Sequence, residues 1–214
     1  MLLYEHDLYD ATMAVDDEVL TWNMAYGLVS SYAWDKLGPG ANPWLELVAR
    51  LQRDFGPHYV GIPLSGYKLL GSQATESTFG DLDVVANRHA TQDFATAGFG
   101  VAPSGFLART SDGSLLGGVF DTTFNGAPLS AGTHHVIVER TATNVIVRQP
   151  VGPETPLAID PPTSWTSTQT LHATALAANG AVLGTTSGTM VSGKFVFQYA
   201  GTMAGARVDA YRVQ

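Results

Sequence analysis

The chain has 214 residues, enough for one large domain or two small ones, and its eleven basic and nineteen acidic side chains leave a net charge of −8. That balance argues against grip on a nucleic-acid backbone, which needs clustered Lys and Arg, and three lysines (Lys36, Lys68, Lys194) cannot make a polybasic membrane patch. No apolar run approaches the ~18 residues of a membrane span, and the absence of cysteine removes disulfides, thiolate zinc sites and thiol catalysis.

Charge is unevenly spread. Residues 1–55 hold twelve charged side chains, nine of them acidic, whereas residues 155–214 hold five and are rich in Thr, Ala, Gly and Val. The opening MLLYEHDLYD has no basic n-region and meets an acid at Glu5, so it does not read as a secretory signal, and the compartment stays open. Leu2-Leu3-Tyr4 reads as a short strand ending in Glu5-His6-Asp7. A helix follows, capped by Asp16 or Asp17, with apolar side chains at Val19, Trp22, Tyr26, Val29 and Ala33 and a second stripe at Leu20, Met24, Leu28 and Tyr32. A helix apolar on two faces is expected between layers. A strand, a loop and a helix in this order form the βα half of a parallel unit. The second helix opens at Asn42-Pro43, carries Trp44, Leu47, Val48, Leu51 and Phe55 on one stripe, and is expected to stop at Gly56-Pro57.

Beyond about residue 66 the period changes. Short runs at 67–70, 83–86, 105–109, 114–120, 134–139, 144–148, 155–159, 170–177, 181–186, 194–200 and 207–213 are separated by Gly, Pro, Asn or Ser. Asn179-Gly180 is a strong hairpin signal, and Asn125-Gly126 and Asp112-Gly113 mark further turns. The expected class is α+β: a strand-helix-helix segment over residues 1–62, then an antiparallel β-sandwich of about eight to eleven strands over 63–214.

The stretch LLYEHDL with DDEVLTWNMAYGLVSSYAW resembles the last strand and last helix of the (β/α)8 barrel of large glycoside hydrolases. The stretch from Gly105 to Ile159, with its Asn-Gly turn, Gly-Thr-His-His strand and Arg-Gln-Pro-Val-Gly segment, is similar to the β-sandwich that follows such barrels. A complete barrel needs about 250 residues, so the resemblance implies the C-terminal part of such an enzyme. It also implies that the wide apolar surface of the first helix meets either a second copy of the chain or a barrel outside it.

Residues at the C-terminal end of a barrel strand face the active-site mouth. The resemblance therefore makes Glu5 and Asp7 the candidate catalytic carboxylates, with His6, Asp10 and Trp22 as substrate contacts. Enzymes of this type keep their catalytic pair on earlier strands, so Glu5 and Asp7 can equally line the sugar pocket. A polar turn is the plain alternative for Glu5-His6-Asp7, and core packing is the plain alternative for Trp22. Asp16-Asp17-Glu18 lacks the alternation of a calcium loop and fits helix capping. His134-His135 points to opposite faces of a strand, one toward core and one toward solvent, and cannot chelate one ion. No Gly-x-Ser-x-Gly elbow occurs, and Gly117-Gly118 does not sit between a strand and a helix. Tyr67, Trp165 and Tyr199 are candidates for a carbohydrate platform, against ordinary cross-strand packing.

These readings point to glycosidic-bond hydrolysis, or to a non-catalytic sandwich that binds carbohydrate or protein. Carbohydrate is the expected partner, and neither nucleic acid nor membrane is. No metal set or cofactor motif is called for.

Overall fold

A computed structural model describes residues 17–28 and 43–214; Glu5, His6, Asp7, Asp10 and the strand expected at Leu2-Leu3-Tyr4 lie outside the described residues. Helix α1 spans Asp17–Tyr26 and helix α2 spans Pro43–Tyr59. Helix α1 ends at Tyr26, before Leu28 of the expected stripe, and Val29, Tyr32 and Ala33 lie outside the described residues. Gly27 adopts φ +66°, Leu28 N donates to Asn23 O at 2.8 Å and Gly27 N to Met24 O at 3.4 Å. This paired closure ends a helix on a left-handed glycine. A side chain at Gly27 would also meet the Phe79 ring at 2.9 Å, so glycine is required by conformation and by space.

Helix α2 begins where Asn42-Pro43 placed it and runs past Gly56-Pro57, against expectation. Pro57 falls in the last turn, where few further bonds depend on it. The buried Tyr59 ring packs on Phe79, and Gly61 at φ +76° follows the helix end.

The rest of the described chain is β structure. Its first half contains β1 (Leu64–Leu70), β2 (Ala74–Phe79), β3 (Leu82–Asn87), β4 (Phe94–Thr96), β5 (Phe99–Val101), β6 (Phe106–Thr110), β7 (Leu115–Phe120), β8 (Thr123–Phe124), β9 (Ala127–Pro128) and β10 (His134–Arg140). The second half contains β11 (Val145–Val151), β12 (Thr155–Ile159), β13 (His172–Leu176), β14 (Val182–Val191), β15 (Lys194–Tyr199), β16 (Thr202–Met203), β17 (Ala206–Arg207) and β18 (Ala210–Val213). Fourteen strands form one sheet, with the path β1-β2-β3-β6-β7-β10-β11-β18-β13-β14-β15-β12 and with β4 and β5 attached through β7. Every described pairing is antiparallel. The class is therefore α+β and mainly antiparallel β.

Two cores explain why the central strands are apolar on both faces. Alternation along β3 sends Val84 to one side and Val85 to the other, and both are buried. Val84 joins Leu20 and Met24 of α1, Leu47, Leu51 and Phe55 of α2, and Phe106 and Ile137 of the sheet. Val85 joins Leu107, Phe120 and Val136 together with Leu157, Phe195, Phe197 and Tyr211 from the later strands. A Cβ at Gly117 would lie 2.9 Å from the Phe55 ring, so this strand glycine lets α2 approach closely.

The apolar face of α1 is thus covered by its own sheet, with Leu20 and Met24 at 1% and 2% exposure. Of the two expected apolar stripes this is the Leu20–Met24 one; Trp22 and Tyr26 of the other stay half-buried. The boundary near residue 62 falls between α2 and β1, and the helices share a core with the strands beyond it.

Candidate functional site

Helix α1 lies across the ends of β2, β3 and β6 and leaves a cleft of about 100 Å³ beside them. Glu18, Trp22 and Tyr26 recur every four residues, so one helix face presents all three to the cleft. The Trp22 and Tyr26 rings sit 5.4 Å apart at 32°. The Arg88 guanidinium, just beyond β3, stands 4.9 Å from the centre of the Trp22 ring, and Trp22 is half-buried. This is a cation held against the negative face of an indole. Arg88 is exposed and makes no ion pair among the described residues.

The floor is structural. Thr21 donates its hydroxyl proton to Ser104 O at 2.7 Å and pins α1 to the strand connection. Asn87, 1% exposed, donates to Gln92 O, Val101 O and Ala102 O and accepts from His89 N. Its amide is spent on folding the segment after β3, which leaves Arg88, Glu18 and the rings as the groups that can meet a ligand. Burial, followed by a hydrogen bond to Tyr67, pushes the Tyr26 phenol up, and the charge of Arg88 opposes this. Tyr67, on the edge strand β1, is 46% exposed and extends the aromatic surface.

Asp17 turns the other way. As the first residue of α1 it accepts a hydrogen bond from His135 Nε2 at 2.7 Å, and the His135 side chain is 2% exposed. His134, on the opposite face of β10, donates from Nε2 to Ser130 O at 2.9 Å and is also fully buried. The expectation that one of the two histidines faces solvent is corrected: α1 covers the face that alternation assigned to water. Nearby, burial pushes the Asp121 carboxyl up, with the Thr133 hydroxyl and His134 opposing. Among the described residues, no group of three His, Asp or Glu side chains could hold a metal ion.

The structure brings Trp22 to a cleft, at the margin of the core rather than within it. Tyr199 is corrected from an exposed platform to a 1% exposed core ring whose hydroxyl accepts from Gln149 N at 3.0 Å. Arg88 and Tyr26 were missed as site residues. Tyr26 is visible in retrospect as the aromatic four places after Trp22, whereas Arg88 is distant in sequence and carries no local signal. Glu18 is the one carboxylate among the described residues lining the cleft. Glycosidic hydrolysis uses two, about 5 to 9.5 Å apart.

No protein-family model, no curated protein and no solved structure matches this chain.

Proposed function

We propose that this chain is the C-terminal, carbohydrate-contacting part of a glycoside hydrolase and that the cleft beside α1 receives a sugar residue. The observation that carries the reading is the Trp22–Tyr26 ring pair with Arg88 over Trp22 and Tyr67 beside it. The C–H face of a pyranose is weakly positive and packs on an aromatic ring face, while a guanidinium and a carboxylate are donor and acceptor for hydroxyls. The sheet is read as a sandwich on related grounds: Leu157 and Phe197, from strands far along the sheet path, share a core with Val136.

The resemblance supports Glu5 and Asp7 as pocket or catalytic acids, with His6 and Asp10 as further sugar contacts. The single carboxylate in the described cleft favours the second reading, a non-catalytic carbohydrate-binding module, for residues 17–214 taken alone. Two measurements separate the readings. A panel of aryl glycosides tests hydrolysis: slower turnover in Glu5→Gln or Asp7→Asn supports a catalytic site, and no turnover of any member leaves the binding module. Electrophoresis through polysaccharide gels tests binding: retardation weakened by Trp22→Ala supports the cleft, and retardation unchanged by that substitution refutes it.

A further inference from the structure

Away from α1 the molecule holds a larger cavity of different chemistry. It opens between the turn joining β10 to β11, segment 160–171 leading into β13, and the end of β18, and it measures about 480 Å³. That volume suits a small ligand.

The walls are fastened. Thr163 N donates to Thr141 O at 3.2 Å and Ser164 N to Ala142 O at 3.0 Å, and the Ser164 hydroxyl bonds the same Ala142 carbonyl. The Trp165 indole N–H donates to Gln169 O at 3.1 Å, while the Gln169 side-chain oxygen accepts from Thr166 N at 2.9 Å. These bonds close a ring around Trp165 and fix the plane of its indole. One side of the half-buried indole packs on the main core. The ring also lines the cavity, beside Thr143, Ser164, Thr170 and Gln214.

Among the described residues, no charged side chain lines this cavity. An anion would want Arg or Lys, and an added peptide strand would want an unpaired edge; β13 and β18 are each paired on both sides. A preset aromatic face ringed by hydroxyls and amides suits an uncharged polyol ring, its C–H face on the indole and its hydroxyls on Thr, Ser and Gln. We propose that the cavity around Trp165 is a second carbohydrate site, separate from the cleft beside Trp22 and selective for neutral saccharides. It rests on the carbohydrate reading above.

The test is fluorine NMR of the whole chain labelled with 5-fluorotryptophan, which reports its four tryptophans separately. Trp165→Phe and Trp22→Phe assign the two signals. The probes are the hexasaccharides of α-1,4-glucose, β-1,4-glucose, β-1,4-xylose and β-1,4-mannose, with sorbitol as control. The proposal expects a saturable shift of the Trp165 signal with at least one hexasaccharide, no such shift with sorbitol, and persistence of the shift in Trp22→Ala. Thr143→Lys, a change at an exposed rim position that leaves the ring in place, is expected to weaken the titration about tenfold or more. A shift confined to Trp22 overturns the second site and leaves the first reading standing. Absence of any shift at either tryptophan overturns both, and an equal response to sorbitol overturns selectivity for saccharides.

Discussion

Strand β3 and strand β14 belong to one sheet and differ in almost every position. Five of the six residues of β3 are buried, whereas β14 is exposed or half-exposed along its whole length. The cause is the helical cover. Helix α1 lies on β2, β3 and β6 and helix α2 on β7 and β11, the core beneath them takes no residue from β14, and the opposite face of the covered strands carries the main core. Strands buried on both faces read as continuous apolar runs, as in Val84-Val85-Ala86, while β14 reads Thr-Thr-Ser-Gly-Thr through its middle. The difference extends to the two cavities. The one beside α1 carries Glu18 from the helix and Arg88 from the segment after β3; the one around Trp165 is bounded by loops and a strand end and has no charged side chain among its described lining residues.

The contrast breaks most severely at Phe55, which is 0% exposed and fills the space above Gly117. Phe55→Ala should cost about 3–5 kcal/mol in denaturant unfolding and should speed hydrogen exchange in β7 and β10 more than in β14. Uniform acceleration across the sheet would mean that the helical cover does not selectively stabilise the strands it lies on. Next is Gly27→Ala, which sets a side chain against Phe79 at a left-handed position; about 1–3 kcal/mol is expected, and wild-type stability would remove the account of where α1 ends. Tyr199→Phe tests the main core, on the face away from the helices. It deprives Gln149 N of its acceptor in a buried place and should cost about 1–3 kcal/mol.

The smallest effect is the alkaline limb of stability. Burial pushes the Tyr59 phenol up to about 12 and raises Tyr199 and Tyr211 as well. Below the ordinary phenol value near 10 both folded and unfolded chains hold the proton, so nothing changes. Above it the unfolded chain ionises first, and stability falls as pH rises from about 10 toward 12. Chemical denaturation at a series of pH values should show a shallower fall in Tyr59→Phe; an identical fall would mean that Tyr59 does not contribute.

Much of the strand order was legible because turn residues and short β-branched runs announce themselves. Each of the eleven runs read from the sequence overlaps a strand, and Asn179-Gly180 does join β13 to β14. Strand β2, Ala74–Phe79, went unread because its middle is Thr-Glu-Ser-Thr, and its buried Thr75 and Ser77 look polar until the helical cover is known. The expectation of eight to eleven strands fell short of the eighteen described, many of them only two or three residues long. Gly27 was passed over as a stop because apolar spacing continues beyond it. Gly56-Pro57 was overrated as a stop because packing of Tyr59 on Phe79 outweighs a local breaker. In the cleft, the helical spacing of Trp22 points to core packing, whereas the ring is half-buried at the margin. Its contact with Arg88 was not legible, since residues 66 positions apart meet only through the fold.

The central claim is that the cleft beside α1 holds sugar through the Trp22 ring. Electrophoresis of the wild type, Trp22→Ala and Arg88→Ala through a series of polysaccharide gels tests it most directly. The account predicts retardation of the wild type in at least one gel, a marked loss in Trp22→Ala and a smaller loss in Arg88→Ala. Wild type and Trp22→Ala migrating alike in every gel would contradict it.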